Sequence, residues 1–179
     1  MIVKLMKYRT DDLRIKEIKE LLPPAKLLGD FPITEKAARI VYETRQEIHR
    51  ILHGADDRAL LIAGPCSIHD TQAAKEYATL LKEAKDRCAP DLLLLMRVYF
   101  EKPRTTVGWK GLINDPNLDG SFQINDGLRL ARRLLLELNE AGVPAGCEFL
   151  DMITPQYFAD LVSWGAIGAR DMTNHSGRR

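Results

Sequence analysis

The feature that most constrains the fold is a repeated pattern in which a short apolar run stops abruptly at polar, chemically reactive residues. The first run, residues 59–63, leads into GPCSIHD at positions 64–70, and the second, residues 92–98, leads into EKPRTT at positions 101–106. Uninterrupted apolar runs of this length are typical of parallel strands that are buried on both faces. The residues just past the carboxyl ends of such strands build the active sites of α/β proteins. The pattern therefore predicts a site on one rim of a parallel sheet.

Strand and helix continue to alternate along the chain. The predicted strands are residues 59–63, 92–98, 145–149 and 166–169, and the predicted helices between them are residues 71–87, about 125–141 and 155–164. The predicted helix caps are Thr34, Asp70, Asn125 or Asp126, and Thr154. Repeats in one direction favour a parallel sheet with right-handed crossovers. The closed form of this pattern is a (β/α)₈ barrel of about 250 residues. The predicted fold class is therefore α/β, a partial (β/α)₈ TIM barrel of about the first four β/α units, formed by residues 59–170.

The segment before the first strand, residues 1–58, is predicted to be a helical extension. One amphipathic helix over residues 11–22 is expected to end at the prolines 23–24, and a second is expected over residues 34–53. The first helix has a narrow apolar face, so we expect it to make contacts with a surface or a partner subunit. The last nine residues, 171–179, form a polar tail that begins no further unit.

Composition and charge narrow the functional classes. The formal net charge is +1, so the overall charge does not indicate a nucleic-acid-binding protein. Three separated cysteines, an odd number, argue against a disulfide framework and favour a reducing compartment. Neither a signal peptide nor a membrane span of about 20 apolar residues is visible. A cytoplasmic protein is predicted, with neither nucleic acid nor membrane as a partner.

Several positive side chains are predicted to share the rim at the strand ends. They are Arg97, Lys102, Arg104, Lys110 and Arg170. Arginine binds phosphate or carboxylate in a forked geometry, and lysine acts as a point charge. Together these side chains would suit a substrate with several negative groups, such as a phosphorylated acid or sugar; the alternative is a set of solvated surface charges. Arg97 interrupts an apolar strand, where an arginine without an anion would be costly to desolvate.

Three other residues on this rim carry candidate chemistry. Cys66 follows a sharp Gly-Pro turn and could be a thiolate metal ligand or a nucleophile, or simply a small buried apolar residue. His69 could be a second ligand, could orient the turn or could face solvent. Glu148, near the end of the third strand, could place a water molecule or form a structural ion pair.

The residues predicted to lie on the rim also resemble the motifs of a known protein family. GPCSIHD at 64–70 and RVYFEKPRTTVGWKG at 97–111 resemble the microbial class I 3-deoxy-D-arabino-heptulosonate 7-phosphate (DAHP) synthases, which open the shikimate pathway to the aromatic amino acids. GLINDP, SFQINDGL, EFLDMITPQY and SWGAIGAR continue the match in the same order, so that it covers roughly residues 11–170. The resemblance is to the N-terminal half of the regulated type of this family.

This resemblance implies a (β/α)₈ barrel with an N-terminal extension. It implies condensation of phosphoenolpyruvate with erythrose 4-phosphate, release of phosphate, a divalent metal ion and feedback inhibition by an aromatic amino acid, possibly phenylalanine. The metal is left open, because Mn, Fe, Co and Zn all suit a site with mixed ligands. The family also implies a homo-oligomer.

The family's functional positions fall on particular residues of this chain. The catalytic residues would be Lys102 and Glu148, and the metal ligand Cys66. Phosphoenolpyruvate would be bound by Arg97, Lys102 and Arg170. Erythrose 4-phosphate would be bound by Lys102, Pro103, Arg104 and Thr105. The effector would be bound by Asp12, Met152, Pro155 and Gln156.

The chain departs from the family after Arg170. Family members are about twice as long, and their further His, Glu and Asp metal ligands have no counterpart here. Two hypotheses follow: a DAHP synthase whose full-length form performs the condensation, or a truncated or frameshifted product that at most associates with a subunit. On either hypothesis we expect these 179 residues alone not to turn over the substrates.

Overall fold

Four parallel strands, flanked by helices, organise the chain. The computed structural model describes residues 13, 18–104 and 107–168. The helices are α1 (Pro24–Asp30), α2 (Glu35–Leu52), α3 (Thr71–Cys88), α4 (Ile124–Glu140) and α5 (Pro155–Phe158), the last continued by a 3₁₀ turn, Ala159–Leu161. The strands are β1 (Ala59–Ala63), β2 (Leu92–Arg97), β3 (Ala145–Phe149) and β4 (Trp164–Ile167).

The strands pair in sequence order, β1-β2-β3-β4, and every pairing is parallel. Leu61 lies opposite Leu94, Arg97 opposite Gly146, and Cys147 opposite Gly165. The predicted α/β class and half-barrel arrangement are confirmed. Because all four strands run the same way, their carboxyl ends meet at one edge of the sheet.

The two faces of β2 are buried in different apolar clusters. Leu94 and Met96 belong to the main core, which α3 and α4 share with the sheet. Leu93 and Leu95 point the other way and pack with Ile48 of α2. Alternate residues of a strand face opposite sides, so burial on both sides explains why this strand is a continuous apolar run. Within the described ranges, no helix is both long and apolar enough to cross a membrane.

Several element boundaries agree with the sequence prediction. β1 and β3 have the predicted bounds, and β2 ends one residue earlier. Thr34 caps α2 by accepting a hydrogen bond from Ala37 N at 3.2 Å, and Asp70 caps α3 by accepting from Gln72 N and Ala73 N. Such caps satisfy backbone donors that the first turn of a helix leaves free.

The region of α5 and β4 differs from the prediction. The helix expected to reach Trp164 ends after the 3₁₀ turn, and Trp164 is the first residue of β4. Two hydrogen bonds explain the early end, because Asn139 Nδ2 donates to Leu161 O and Ser163 N donates to Ala145 O of β3. Because these bonds hold residues 161 and 163 to α4 and to β3, the helix ends there and the chain continues into β4.

The extension also differs from the prediction. Pro24 does not stop a helix but opens α1, since the first helical turn tolerates proline. Residues 18–22 lie outside any helix, and residues 11–17, except 13, lie outside the described residues. Asn125 or Asp126 was predicted to cap α4, but α4 begins at Ile124, before both residues. The Asn125 side chain accepts from Leu22 N and donates to Glu20 O instead.

A buried arginine joins the extension to the half-barrel. Arg132 of α4 is 1% exposed and forms a two-pronged ion pair with Asp160, with N–O distances of 2.7 and 2.9 Å. It also donates to Phe31 O at 2.7 Å and to Tyr157 O at 2.9 Å. Because all three guanidinium nitrogens of Arg132 donate hydrogen bonds, this side chain fixes α1 and α5 relative to α4.

Asp160→Ala should lower the free energy of unfolding by about 3 kcal/mol, because it leaves the buried Arg132 charge uncompensated. Urea unfolding of the whole chain measures this. The matched control is Glu137→Ala, which breaks the exposed pair with Lys75 and should cost under about 1 kcal/mol. Equal effects of the two substitutions would contradict the structural role of Arg132.

Gly127 lets the long loop after β2 lie against α4. A Cβ at this position would overlap the carbonyl oxygens of Ile113 and Leu112. Glycine inside a helix normally costs stability, so its presence here reflects this close backbone contact. The contact holds residues 112–113 of the loop against α4.

Gly127→Ala should destabilise the chain by about 1–3 kcal/mol through that overlap. Gly29→Ala in α1 is the matched control, because a Cβ at Gly29 meets nothing within 4 Å. It should stabilise the chain by about 0.5–1 kcal/mol. Thermal unfolding of both variants shows whether the signs are opposite, and a stable Gly127→Ala variant would refute the packing argument.

Candidate functional site

The ends of β1 and β2 approach each other closely at the rim. A Cβ on Gly64 would stand 2.7 Å from Arg97 O, so only glycine allows this approach. Beyond the strands, Ile68 N donates to Tyr99 O at 2.8 Å. The loops that follow the two strands are thus held side by side, which places their side chains in one region.

Cys66 and Lys102 meet at this point. Lys102 Nζ donates a hydrogen bond to Cys66 Sγ at 3.0 Å. The hydrogen bond and charge of Lys102, with a further contribution from the charge of Arg97, lower the pKa of the Cys66 thiol below its ordinary value. Cys66 is exposed, which contradicts the alternative that it is a small buried residue. An exposed thiol with a lowered pKa is a reactive one.

Arg97 ends β2 beside this pair. Its guanidinium carbon lies 4.1 Å from the centre of the Tyr99 ring. Its Nε is buried and has no hydrogen-bond partner among the described residues, and the same holds for the hydroxyl of Ser67. A buried donor on a cation strongly favours an anionic acceptor. The environment of Arg97 therefore suits the binding of an anion.

A hollow of about 440 Å³ opens next to Lys102. Its lining residues are Glu101, Lys102, Arg104, Lys110, Asn114, Phe122, Leu150 and Asp151. Three hydrogen bonds of 2.7–3.0 Å link the three cations. Lys102 N donates to Lys110 O, Arg104 N donates to Lys102 O, and Lys110 Nζ donates to Arg104 O. The structure thus brings three of the five predicted rim cations into one concave surface.

The carboxylates in this wall are engaged in holding it. Asp151 Oδ1 accepts from Ile153 N and Thr154 N, both at 2.7 Å. Glu101 accepts from the Asn114 side chain at 3.4 Å and the Thr154 hydroxyl at 3.5 Å. Thr154 was predicted to cap α5, but its hydroxyl turns to Glu101 and makes no cap bond.

The loop over residues 101–123 is held by its own internal bonds. Glu101 and Gly111 form an isolated antiparallel bridge, and Trp109 Nε1 donates to Asp115 O at 2.7 Å. Both carboxylate oxygens of Asp115 accept from Gly120 N at 3.2 Å. Phe122, on the wall of the hollow, has a φ of 51°, a strained value for an aromatic residue. These bonds fix the described part of this loop as one wall of the hollow.

Comparison with known proteins decides the family. The model of the DAHP synthetase I family matches residues 30–179. The chain belongs to the DAHP synthetase I family. It is 68% identical over 165 residues to the Phe-sensitive phospho-2-dehydro-3-deoxyheptonate aldolase of Escherichia coli, a match that covers 92% of this chain and 47% of the relative.

Other members of the DAHP synthetase I family agree. The Trp-sensitive aldolase of Escherichia coli is 56% identical over 162 residues, 90% of this chain and 47% of the relative. The solved structure of the aldolase from Francisella tularensis superposes with a TM-score of 0.86 at 56% identity, covering 90% of this chain and 48% of that one. The chain spans about half the length of the relatives it matches.

Glu148 lies on the same edge of the sheet as the end of β2. It is half-buried at the end of β3. Burial raises the pKa of Tyr99, while the charge of Arg97 acts to lower it and that of Glu148 acts to raise it. Both charges therefore lie near the Tyr99 ring, so Glu148 and Arg97 flank one region.

Of the family's effector positions, three lie together. Met152 is 78% exposed, Gln156 is exposed, and Gln156 Nε2 donates to Met152 O at 3.3 Å across the start of α5. Pro155 is half-buried between them in sequence. They follow Asp151, which lines the hollow, so these three residues lie next to the hollow in sequence.

The other family positions fall into two groups. Pro103 and Arg104 are exposed beside Lys102. Asp12, Thr105 and Arg170 lie outside the described residues.

The family's metal site cannot be built from the described part of the chain. No group of three or more His, Cys, Asp or Glu side chains there could hold a metal ion. The hydrogen-bond partner of Cys66 is a cation, and His69 is exposed. A single thiolate does not satisfy a divalent metal, which takes several ligands. The described residues therefore do not fit a metal by themselves.

Sequence reasoning missed several residues of the rim. Tyr99, Asn114, Phe122 and Asp151 contact the predicted cations or line the hollow. The i, i+2 spacing of Arg97 and Tyr99 is a signal for the first, because such residues share one side of an extended chain. The Asp-x-x-Thr spacing at 151–154 is a signal for the last, because Asp commonly accepts backbone bonds two or three residues ahead.

Lys102→Met should slow the alkylation of Cys66 at neutral pH, because the thiol pKa returns toward its ordinary value and less thiolate is present. Iodoacetamide labelling followed by mass spectrometry, with a chelator present, measures the rate. Lys110→Met is the matched control and should leave it unchanged. Cys147 should label last, since burial raises its pKa. A rate for Cys66 that does not depend on Lys102 would show the contact to be unimportant.

Proposed function

We propose that this chain supplies the substrate-binding rim of a DAHP synthase, which condenses phosphoenolpyruvate with erythrose 4-phosphate. The observation that carries the proposal is Arg97, a half-buried arginine whose Nε lacks a partner among the described residues, beside the Lys102–Cys66 pair. Membership of the DAHP synthetase I family supports it, as do relatives that are named aldolases of this heptulosonate.

Phosphoenolpyruvate carries a carboxylate and a phosphate, and it needs at least two cations. Arg97 and Lys102 would bind these groups, with Arg170 completing the set. Arg97 offers a forked donor whose orientation is fixed by the ring of Tyr99. Lys102 offers a compact charge that is already held in place by Cys66. Preorganised donors of this kind cost little reorganisation on binding.

Erythrose 4-phosphate would occupy the cationic hollow. Lys102, Pro103, Arg104 and Thr105 would contact it, and Lys110 adds a third positive charge to the wall. Two anionic substrates repel each other in water, so the cations must hold them side by side. Holding reactants in contact in this way removes much of the barrier to a reaction between two molecules.

In the reaction, carbon 3 of phosphoenolpyruvate attacks the aldehyde carbon, water adds to carbon 2, and phosphate leaves. Lys102 Nζ would stabilise the negative charge that develops on the former aldehyde oxygen. Glu148 would orient the water. Cys66 would be this chain's contribution to the ligands of the family's divalent ion, which would supply Lewis-acid chemistry only with further ligands that the described residues do not provide.

Regulation and assembly belong to the same proposal. Asp12, Met152, Pro155 and Gln156 would bind an aromatic amino acid, and phenylalanine is the first candidate because the relative at 68% identity is named Phe-sensitive. Residues 1–58 would form the oligomer and regulatory contacts between copies, and residues 59–170 the catalytic half-barrel.

Arg97→Met should weaken phosphoenolpyruvate binding at least about tenfold, because charged hydrogen bonds contribute about 1.5–3 kcal/mol. Calorimetry with the whole chain measures the affinity. Arg133→Met is the matched control: Arg133 also lies over an aromatic ring, that of Phe31 at 5.0 Å, but belongs to the exposed side of α4, so its loss should leave binding unchanged.

Equal losses in the two variants, or binding that does not weaken at raised salt, would contradict the assignment of the rim. A parallel assay with both substrates and Mn²⁺ tests turnover by these residues, which we do not expect. Heptulosonate formed with one equivalent of phosphate would overturn that expectation while supporting the substrate assignment.

A further inference from the structure

A short segment before α1 is held by one side chain in the first turn of α4. Asn125 Oδ1 accepts a hydrogen bond from Leu22 N at 2.9 Å, and Asn125 Nδ2 donates to Glu20 O at 3.0 Å. Residues 19–22, the strap, are thus joined to a residue that lies more than 100 positions further along the chain.

The strap is also fixed to the half-barrel at Leu22. The Tyr157 hydroxyl of α5 donates to Leu22 O at 2.8 Å, and the Leu22 side chain packs against the main core. Because Asn125 bonds Leu22 N, both backbone polar groups of Leu22 are satisfied. The strap therefore has one firm end, from which it reaches the loop over residues 101–123.

The bonds of the strap fall on both sides of Phe122. On one side Lys19 Nζ donates to Ser121 O at 3.0 Å, and on the other side lies Asn125. Phe122 O also accepts from Ile124 N at 2.9 Å. The φ of 51° at Phe122 costs free energy and persists only where neighbouring groups hold it. The strap supplies such groups.

Phe122 lines the cationic hollow, so its conformation sets the shape of that hollow. We propose that Asn125 is a positioning residue for the hollow: by clamping the strap, it keeps Phe122 in the conformation that binds a sugar phosphate. The inference rests on the proposed function, which assigns erythrose 4-phosphate to this hollow. A carboxamide suits the task, because its acceptor and its donors lie in one plane and bond a backbone N–H and a backbone C=O together.

Docking of the strap and binding in the hollow are thereby linked. A ligand that needs Phe122 in place stabilises the docked strap by the same factor by which docking strengthens binding of the ligand. Tyr157 allows this link to be tested from outside the loop, because its hydroxyl bonds the strap at Leu22.

Hydrogen exchange of the whole chain without ligand tests the clamp. Asn125→Ala should speed exchange of the backbone N–H groups of residues 120–124 roughly tenfold, because two hydrogen bonds to the strap are lost. Tyr157→Phe should speed exchange at the same residues, and the double variant should add little, because both substitutions release one strap. Asp126→Ala, which removes the exposed neighbouring side chain, is the matched control and should leave exchange there unchanged.

Calorimetry with erythrose 4-phosphate and with phosphoenolpyruvate tests the consequence. Asn125→Ala should weaken erythrose 4-phosphate binding roughly fivefold or more and leave phosphoenolpyruvate binding unchanged, a difference that a general loss of stability would not produce. Equal exchange in Asn125→Ala and Asp126→Ala, or equal weakening of both ligands, would overturn the proposal. A wild type that binds no erythrose 4-phosphate would instead contradict the proposed function, and hydrogen exchange would then decide whether the strap holds Phe122.

Discussion

The parallel pairing of β1 with β2 determines where everything else in the site can lie. Five residue pairs, from Ala59 opposite Leu92 to Ala63 opposite Met96, set the register. At the next position Gly64 must pass the backbone of Arg97. From there the two loops are committed to the same side of the sheet, and Cys66 and Lys102 come within hydrogen-bond distance although 36 residues separate them. A shift of the register by one residue would reverse the faces of one strand relative to the other.

The positive and negative side chains of the rim have different environments. Arg97 is half-buried, its guanidinium lies against the Tyr99 ring, and its Nε has no partner in the described part of the chain. Lys102 is held by the sulfur of Cys66. Glu101 and Asp151 lie close by but are bonded to hydroxyl, amide or backbone donors of the wall. The acidic groups thus fix the shape of the hollow, and the cations remain the groups that an anionic substrate would meet.

Local patterns predicted much of this arrangement. The apolar runs placed β1 and β3 correctly, and short-range chemistry placed the caps Thr34 and Asp70, because each caps its own helix. Parallel direction alone put the rim residues at one edge. The failures involve partners that are distant in the chain. Asn125 has the composition of a helix cap but binds the backbone of Leu22, and Pro24 begins a helix where it was expected to end one. Arg132 and Asp160 are brought together only by the folded position of α5, so the sequence near either residue does not predict that they pair.

The Arg132 cluster has a consequence for the order of folding. Its bond to Phe31 O joins residues 101 positions apart in the chain, and its bonds to Tyr157 and Asp160 reach 25 and 28 residues in the other direction. Contacts of such long range form late, because the entropy of closing large loops must be paid first. On the ribosome, Phe31 emerges long before the segment that completes its anchor. The extension therefore lacks this anchor until Arg132 and Asp160 have both been made, and until then it is exposed to other newly made chains.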